Sequence, residues 1–207
     1  MTEREKRDII IDDILQPSLC RLYKMDYDNI RFGVSERNIC GRLAYHMENI
    51  MREFDRDHNS DLFIHYYADV EYNRMGNGEL KRYENSEHLP QYIVADLLIQ
   101  SRGEPRNLLA VEMKRSTNYV NRQEDRKRLE ALVSTAPVHS TLPCVYGTMV
   151  GAFIIYSPDI VIVEFYESVK RHGVKTGEIR FVCRIDGERF LSLEKTNETW
   201  EHFNKRL

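Results

Sequence analysis

Four cysteines, Cys20, Cys40, Cys144 and Cys183, are scattered along 207 residues without a Cys-x-x-Cys pair. That spacing excludes a structural zinc knuckle and a disulfide framework, and predicts a reduced, cytoplasmic protein. No segment approaches the ~20 consecutive apolar residues that a membrane-spanning helix needs. The start, Met1 to Arg7, is charged and leads into no long apolar stretch, so no secretory signal is expected. Nor is there an excess of one charge: 30 Lys and Arg stand against 33 Asp and Glu, a net −3. A histone-like mode of nucleic-acid binding over the whole surface is thereby excluded, and any such contact must use a local basic patch. Gly-x-Ser-x-Gly, a Walker-type loop and His-Glu-x-x-His are all missing, and the seven histidines, among them His46, His65 and His139, lack metal-ligand spacing. Met75-Gly76-Asn77-Gly78 reads as a turn, not a phosphate cradle. Without repeats, low-complexity tracts or a long linker, residues 1–207 read as one domain with ordinary proportions of apolar (42%) and charged (30%) residues.

The hydrophobic pattern divides this chain into elements. An amphipathic helix is predicted from Asp8 to about Leu22, interrupted at Pro17, followed by a charged connector from Tyr23 to Val34; residues 1–34 thus form an N-terminal helical extension. Ser35 is a good helix N-cap, with Glu36 in the first turn, where the helix dipole favours an anion. Ile39, Leu43, Met47, Ile50 and Phe54 then recur at helical spacing. Leu62–Tyr72 reads as a strand, and a polar loop continues to about Pro90. Further strands are predicted at Thr148–Tyr156, Ile160–Phe165 and Glu178–Ile185, with a helix from Arg122 to Ser134 before them. The core spans about 35–185, and a final helix over 194–207 would pack Trp200, Phe203 and Leu207 against the body. Helices interspersed with strands predict an α/β fold.

Two apolar runs carry charges where charges are costly. Asp96 lies within Tyr92-Ile93-Val94-Ala95-Asp96-Leu97-Leu98-Ile99, and Glu112 and Lys114 lie within Leu108-Leu109-Ala110-Val111-Glu112-Met113-Lys114. Short runs of this kind read as buried strands, where a charge must be paired or hold a metal. Side chains alternate along a strand, so Glu112 and Lys114 leave one face while Val111 and Met113 leave the other. If the two runs are neighbours in a sheet, Asp96 joins them, and two carboxylates converge on one ammonium.

This pattern, Asp96 followed by Glu112-Met113-Lys114, resembles the signature of the PD-(D/E)XK nuclease superfamily, with Ala95 in place of its usual proline. The resemblance implies a restriction-endonuclease-like fold, a mixed central sheet flanked by helices, and a magnesium- or manganese-dependent hydrolase (nuclease) acting on DNA, with RNA left open. It implies Asp96, Glu112 and the Met113 carbonyl as metal ligands, a metal-bound water as the nucleophile, and Lys114 as the group that steadies charge on the phosphoryl oxygens. Glu36 is the matching acid on the first core helix, and the expected products carry 5′-phosphate and 3′-hydroxyl ends. A homodimer is one assembly that relatives adopt. The subgroup signature Gln-x-x-x-Tyr is not met, because Lys127 follows Gln123 at that spacing.

Blander readings stand beside these. Glu36 is also what an ordinary helix first turn carries, and Lys114 can be a structural partner of Glu112 or Asp96. Asp69 and Glu71 fit a solvated sheet face better than the site. Arg74, at the mouth of that strand, and Arg115, Arg122 and Arg126 are the candidate phosphate contacts, although the Arg122–Arg128 stretch mixes signs as an exposed helix does. From another functional class, the alternative is a catalytically silent binding or assembly module built on the same fold.

Overall fold

The computed structural model describes residues 1–72, 82–84, 90–101, 107–135 and 147–197, with backbone alone at 82–84, 90 and 91. Its elements in chain order are α1 (Glu3–Asp8), a π-helical segment (Ile9–Leu15), α2 (Gln16–Arg31), α3 (Glu36–His58), β1 (Tyr66–Val70), β2 (Arg82–Glu84), β3 (Pro90–Tyr92), β4 (Leu97–Ser101), β5 (Leu109–Arg115), α4 (Arg122–Val133), β6 (Val150–Tyr156), β7 (Ile160–Val169), β8 (His172–Asp186) and β9 (Arg189–Thr196). The protein is a mixed α/β molecule. Seven strands form one open sheet in the order β1-β4-β5-β6-β7-β8-β9, and β2 and β3 pair separately. Among the described strands only β5 and β6 run parallel, from Leu109↔Val150 to Arg115↔Tyr156; the other neighbours are antiparallel. Parallel neighbours need a crossover, and α4 supplies it.

Alternation assigns the two faces of the sheet. Leu97, Ile99, Leu109, Val111, Met113, Ala152 and Ile154 pack with α2 and α3 in one cluster, and Leu98, Ala110, Phe153 and Ile155 pack with Leu129, Leu132 and Val133 of α4 in the other. The α3 register follows the sequence closely. Ser35 caps it by accepting from the Asn38 N–H at 3.3 Å, and Ile39, Leu43, Met47 and Ile50 are buried. Asn59 ends it in the left-handed conformation (φ 48°).

Several expectations are corrected. Pro17 does not interrupt the first helix, because it sits in the first turn of α2, directly after the wide π-helical turn. There its missing N–H breaks no regular α-helical bond. The expected connector 23–34 is therefore helical to Arg31, with a kink at Asp26. The helical residues 1–34 pack into the main core: Ile10, Ile14, Leu15, Leu19, Leu22 and Tyr23 belong to it, and the Tyr23 hydroxyl donates to the Ser157 carbonyl at 2.6 Å. Part of the loop leading to Pro90 is the β2–β3 hairpin. The sheet also extends past residue 185, since β9 occupies the start of the predicted 194–207 helix; residues 198–207, with Trp200, Phe203 and Leu207, lie outside the described residues. Arg74, His139 and Cys144 lie outside them too. Among the described residues no helix is long and apolar enough to cross a membrane.

The β7–β8 hairpin closes against the end of α4. A Cβ placed at Gly173 would lie 2.0 Å from the Glu130 carbonyl oxygen, so this position tolerates no side chain without moving backbone. Gly173→Ala is expected to destabilise the protein by about 1–3 kcal/mol in urea unfolding, the usual cost of overpacking. An unchanged midpoint would show that the hairpin moves away freely.

Candidate functional site

The pairing of β4 with β5 stops at Leu97↔Val111. One step further the chain of β4 supplies a side chain where a backbone acceptor would continue the ladder: Asp96 Oδ2 accepts from the Met113 N–H at 2.8 Å. The Asp96 carbonyl is itself fixed, accepting from the Glu71 N–H at 3.1 Å and the Cys40 thiol at 3.2 Å. By the register of this antiparallel pair Asp96 falls opposite Glu112, on the α4 side of the sheet. The N–H and C=O of one strand residue leave along the same edge, which turns the Met113 carbonyl toward the same fork between the strands. Asp96, Glu112 and Lys114 thus share one face, as alternation requires.

Glu112 has no exposed surface. Arg128 of α4 answers it with two hydrogen bonds, Nε to Oε1 at 2.9 Å and Nη2 to Oε2 at 3.0 Å. The same guanidinium pairs with Asp125, 1% exposed, one turn earlier on α4. Lys114 Nζ lies 3.4 Å from Asp125 Oδ2 and 3.7 Å from Glu36 Oε2. The Lys114 contact leaves Asp125 Oδ2 without an aligned hydrogen bond. Glu36, at the N-terminus of α3, accepts through Oε1 from the Arg115 N–H and the Asn118 side-chain amide, both at 2.9 Å. Two helices and two strands therefore meet at one cluster. Access to solvent runs past Lys114 (17% exposed) and Glu36 (29% exposed).

The charges do not balance. Glu36, Asp96, Glu112 and Asp125, if all ionised, carry −4, and Lys114 and Arg128 carry +2, leaving −2 over these six side chains. The consequence shows in the acids. Burial pushes the Glu112 carboxyl up to about 8, against the pull of its bonds from Arg128 and with a further push from Asp96. Burial raises Asp96 as well, opposed by the Met113 N–H and the charge of Lys114. The Glu112 hydrogen bonds raise the Arg128 guanidinium in turn.

Among the described residues no three acidic, histidine or cysteine side chains are placed to hold a metal ion. The geometry gives a reason. The Arg128 guanidinium spans Glu112 and Asp125, where a cation would have to draw the carboxylates together. By chemistry the donor set suits a hard divalent ion: oxygen ligands only, with a net charge, when all four acids are ionised, equal and opposite to that of such an ion. Binding one requires the guanidinium to release Glu112.

The candidate phosphate contacts lie in different surroundings. Arg115 is at the edge of the cluster, its guanidinium against Gly33. Arg122 donates to the carbonyls of Arg115, Ser116 and Asn118. Arg126 is turned away, held bidentately by Glu164 at 2.8 and 3.0 Å. The structure therefore does not gather the three into one strip. Asp69 accepts from Gln100 at 2.8 Å and Glu71 pairs with Arg37 at 2.9 Å. Two members of the cluster escaped the sequence reading, Asp125 and Arg128. Asp125 shares its buried stripe with Leu129 and Leu132, and an acid in phase with apolar neighbours was the available signal.

A carboxyl raised on folding binds more protons in the folded state than in the unfolded one. Its favourable contribution is complete below the unfolded value and is lost as pH rises toward about 8. Glu112→Gln removes this loss. From pH 5 to 8 the variant should gain stability on the wild type, by at most about 1.4 kcal/mol per pH unit in urea unfolding. A difference independent of pH would mean that Arg128 keeps Glu112 ionised throughout.

No family model, curated protein or solved structure matches this chain.

Proposed function

We propose that this protein is a metal-dependent phosphodiester hydrolase of the PD-(D/E)XK, restriction-endonuclease-like kind, acting on DNA. The observation that carries the reading is the meeting of Asp96, Glu112 and Lys114 on one sheet face, joined by Glu36 from the helix that opens the core. The succession α3, β1, β4, β5, α4, β6, with β5 and β6 parallel, supports it further.

Magnesium or manganese would be held by Asp96, Glu112 and the Met113 carbonyl, and would supply Lewis acidity toward a phosphoryl oxygen. The chain's own residues do the rest. The Met113 N–H and the anchored Asp96 backbone hold the first carboxylate at the fork of the strands. Lys114 presents an ammonium at the solvent side of the cluster, positioned to donate to the non-bridging oxygens of a phosphodiester as charge gathers there. One such donor is commonly worth ~3–4 kcal/mol. Glu36 draws Lys114 to the mouth and ties the following loop through Asn118.

A second reading has its own support. Glu112 is fully buried and both its oxygens are taken by Arg128, as expected of a structural ion pair in a silent binding or assembly module. Incubation with supercoiled plasmid, single-stranded DNA and RNA in Mg²⁺, Mn²⁺ or EDTA separates the two. Cleavage is expected with either metal and not with EDTA. Asp96→Asn and Lys114→Ala should each lower it at least ~100-fold, the scale of losing one electrostatic donor or ligand, while the urea midpoint stays at or above wild type. Absence of cleavage, together with no calorimetric Mn²⁺ binding that Asp96→Asn abolishes, favours the assembly module.

A further inference from the structure

The loop that follows β5 presents an aromatic ring beside the cluster in a way that core packing does not require. Tyr119 is 71% exposed and its neighbour Val120 68%. Apolar surface this open is commonplace on a mobile tip, but here the backbone beneath it is pinned. The Ser116 N–H donates to the Tyr156 carbonyl at 2.7 Å and the Asn118 N–H to the Arg115 carbonyl at 2.9 Å. Asn118 also accepts from the Val120 N–H at 3.2 Å and donates to Glu36. Arg122 gathers the carbonyls of Arg115, Ser116 and Asn118, and its guanidinium lies 4.4 Å from the centroid of the Tyr119 ring. The result is a ring supported by a cation and set on a fixed loop.

A second ring of the same kind adjoins the same place. Phe32, also 71% exposed, has the Arg31 guanidinium 4.7 Å from its centroid. The next residue, Gly33, has a positive φ of 73° and lies so close to the Arg115 guanidinium that a Cβ there would fall 2.0 Å from it. The Phe32–Ser35 turn and the Tyr119 loop therefore both reach Arg115, and each is tied to Glu36, one through the start of α3 and one through Asn118.

We infer that Tyr119, backed by Arg122, is a stacking platform for an unpaired nucleobase next to the phosphate held at Lys114, with Phe32 as a second ring along the strand. The inference rests on the hydrolase reading and narrows its substrate to polynucleotide with unstacked bases at the site, such as single-stranded DNA. The chemistry fits: an aromatic face accepts any base, arginine behind it adds attraction, and neither reads sequence. Bases within a duplex already stack on one another and offer no free face to such a ring.

The test is equilibrium binding, by fluorescence anisotropy in EDTA, of labelled single-stranded, double-stranded and abasic single-stranded oligodeoxynucleotides of one length. Wild type should prefer the single strand. Tyr119→Ala should weaken that binding about 5- to 160-fold, the scale of losing one base–aromatic stack. Tyr119→Phe should restore it, and binding of the abasic strand should be insensitive to either change. Equal losses on base-containing and abasic strands, no loss on either, or a preference for duplex would overturn the inference while leaving the hydrolase open. The metal dependence of Asp96 and Glu112 judges the hydrolase separately. Wild type that binds no DNA would overturn the platform outright.

Discussion

Neutralising Glu112 is the constraint on which the arrangement turns. A carboxylate with no exposure, in a strand central to the sheet, cannot stay ionised without a cation in contact with it. Arg128 meets that need in part from α4, burial still pushing the carboxyl up to about 8, and its contact ties the crossover helix to the sheet. The same guanidinium holds Asp125, Asp125 draws Lys114, and Lys114 reaches Glu36 on α3. A chain of ion pairs thus passes from one side of the sheet to the helix that packs on its other side. A core built for stability alone would be served as well by apolar residues at these positions, since buried ion pairs seldom repay their desolvation. Their presence, with a net −2 when all four acids are ionised, is consistent with the proposed cation-binding role.

How far this was legible in the sequence depends on the kind of signal. Alternation along a strand is local and rigid, so the shared face of Glu112 and Lys114 followed from spacing alone, and the antiparallel register then brought Asp96 opposite Glu112. The Ser35 cap and the Ile39–Ile50 stripe were equally local, and α3 begins and buries itself as read. Arg128 was hidden because Arg122 to Arg128 alternates signs like any exposed helix; only tertiary packing distinguishes the arginine facing the sheet from those facing water. Arg126 shows the converse, an arginine that looked available and is held by Glu164.

The remaining differences have similar causes. Pro17 is a strong local signal for a helix break, yet the π-helical turn before it lets the helix continue, a backbone adjustment that no residue pattern announces. β9 carries few apolar residues because, among the described strands, it lies at the edge of the sheet with one neighbour, and its mixed polarity resembles a helix face as much as a strand. The exposed rings of Tyr119 and Phe32 carry no periodicity, so their placement beside the cluster becomes visible only when both loops are seen to meet at Arg115.

Diffraction from crystals soaked in Mn²⁺, recorded at the manganese absorption edge, examines the central claim most directly. One anomalous peak is expected within coordination distance of Asp96, Glu112 and the Met113 carbonyl, with the Arg128 guanidinium displaced from Glu112. A map without density there, and with Arg128 still closed on both oxygens of Glu112, would contradict it.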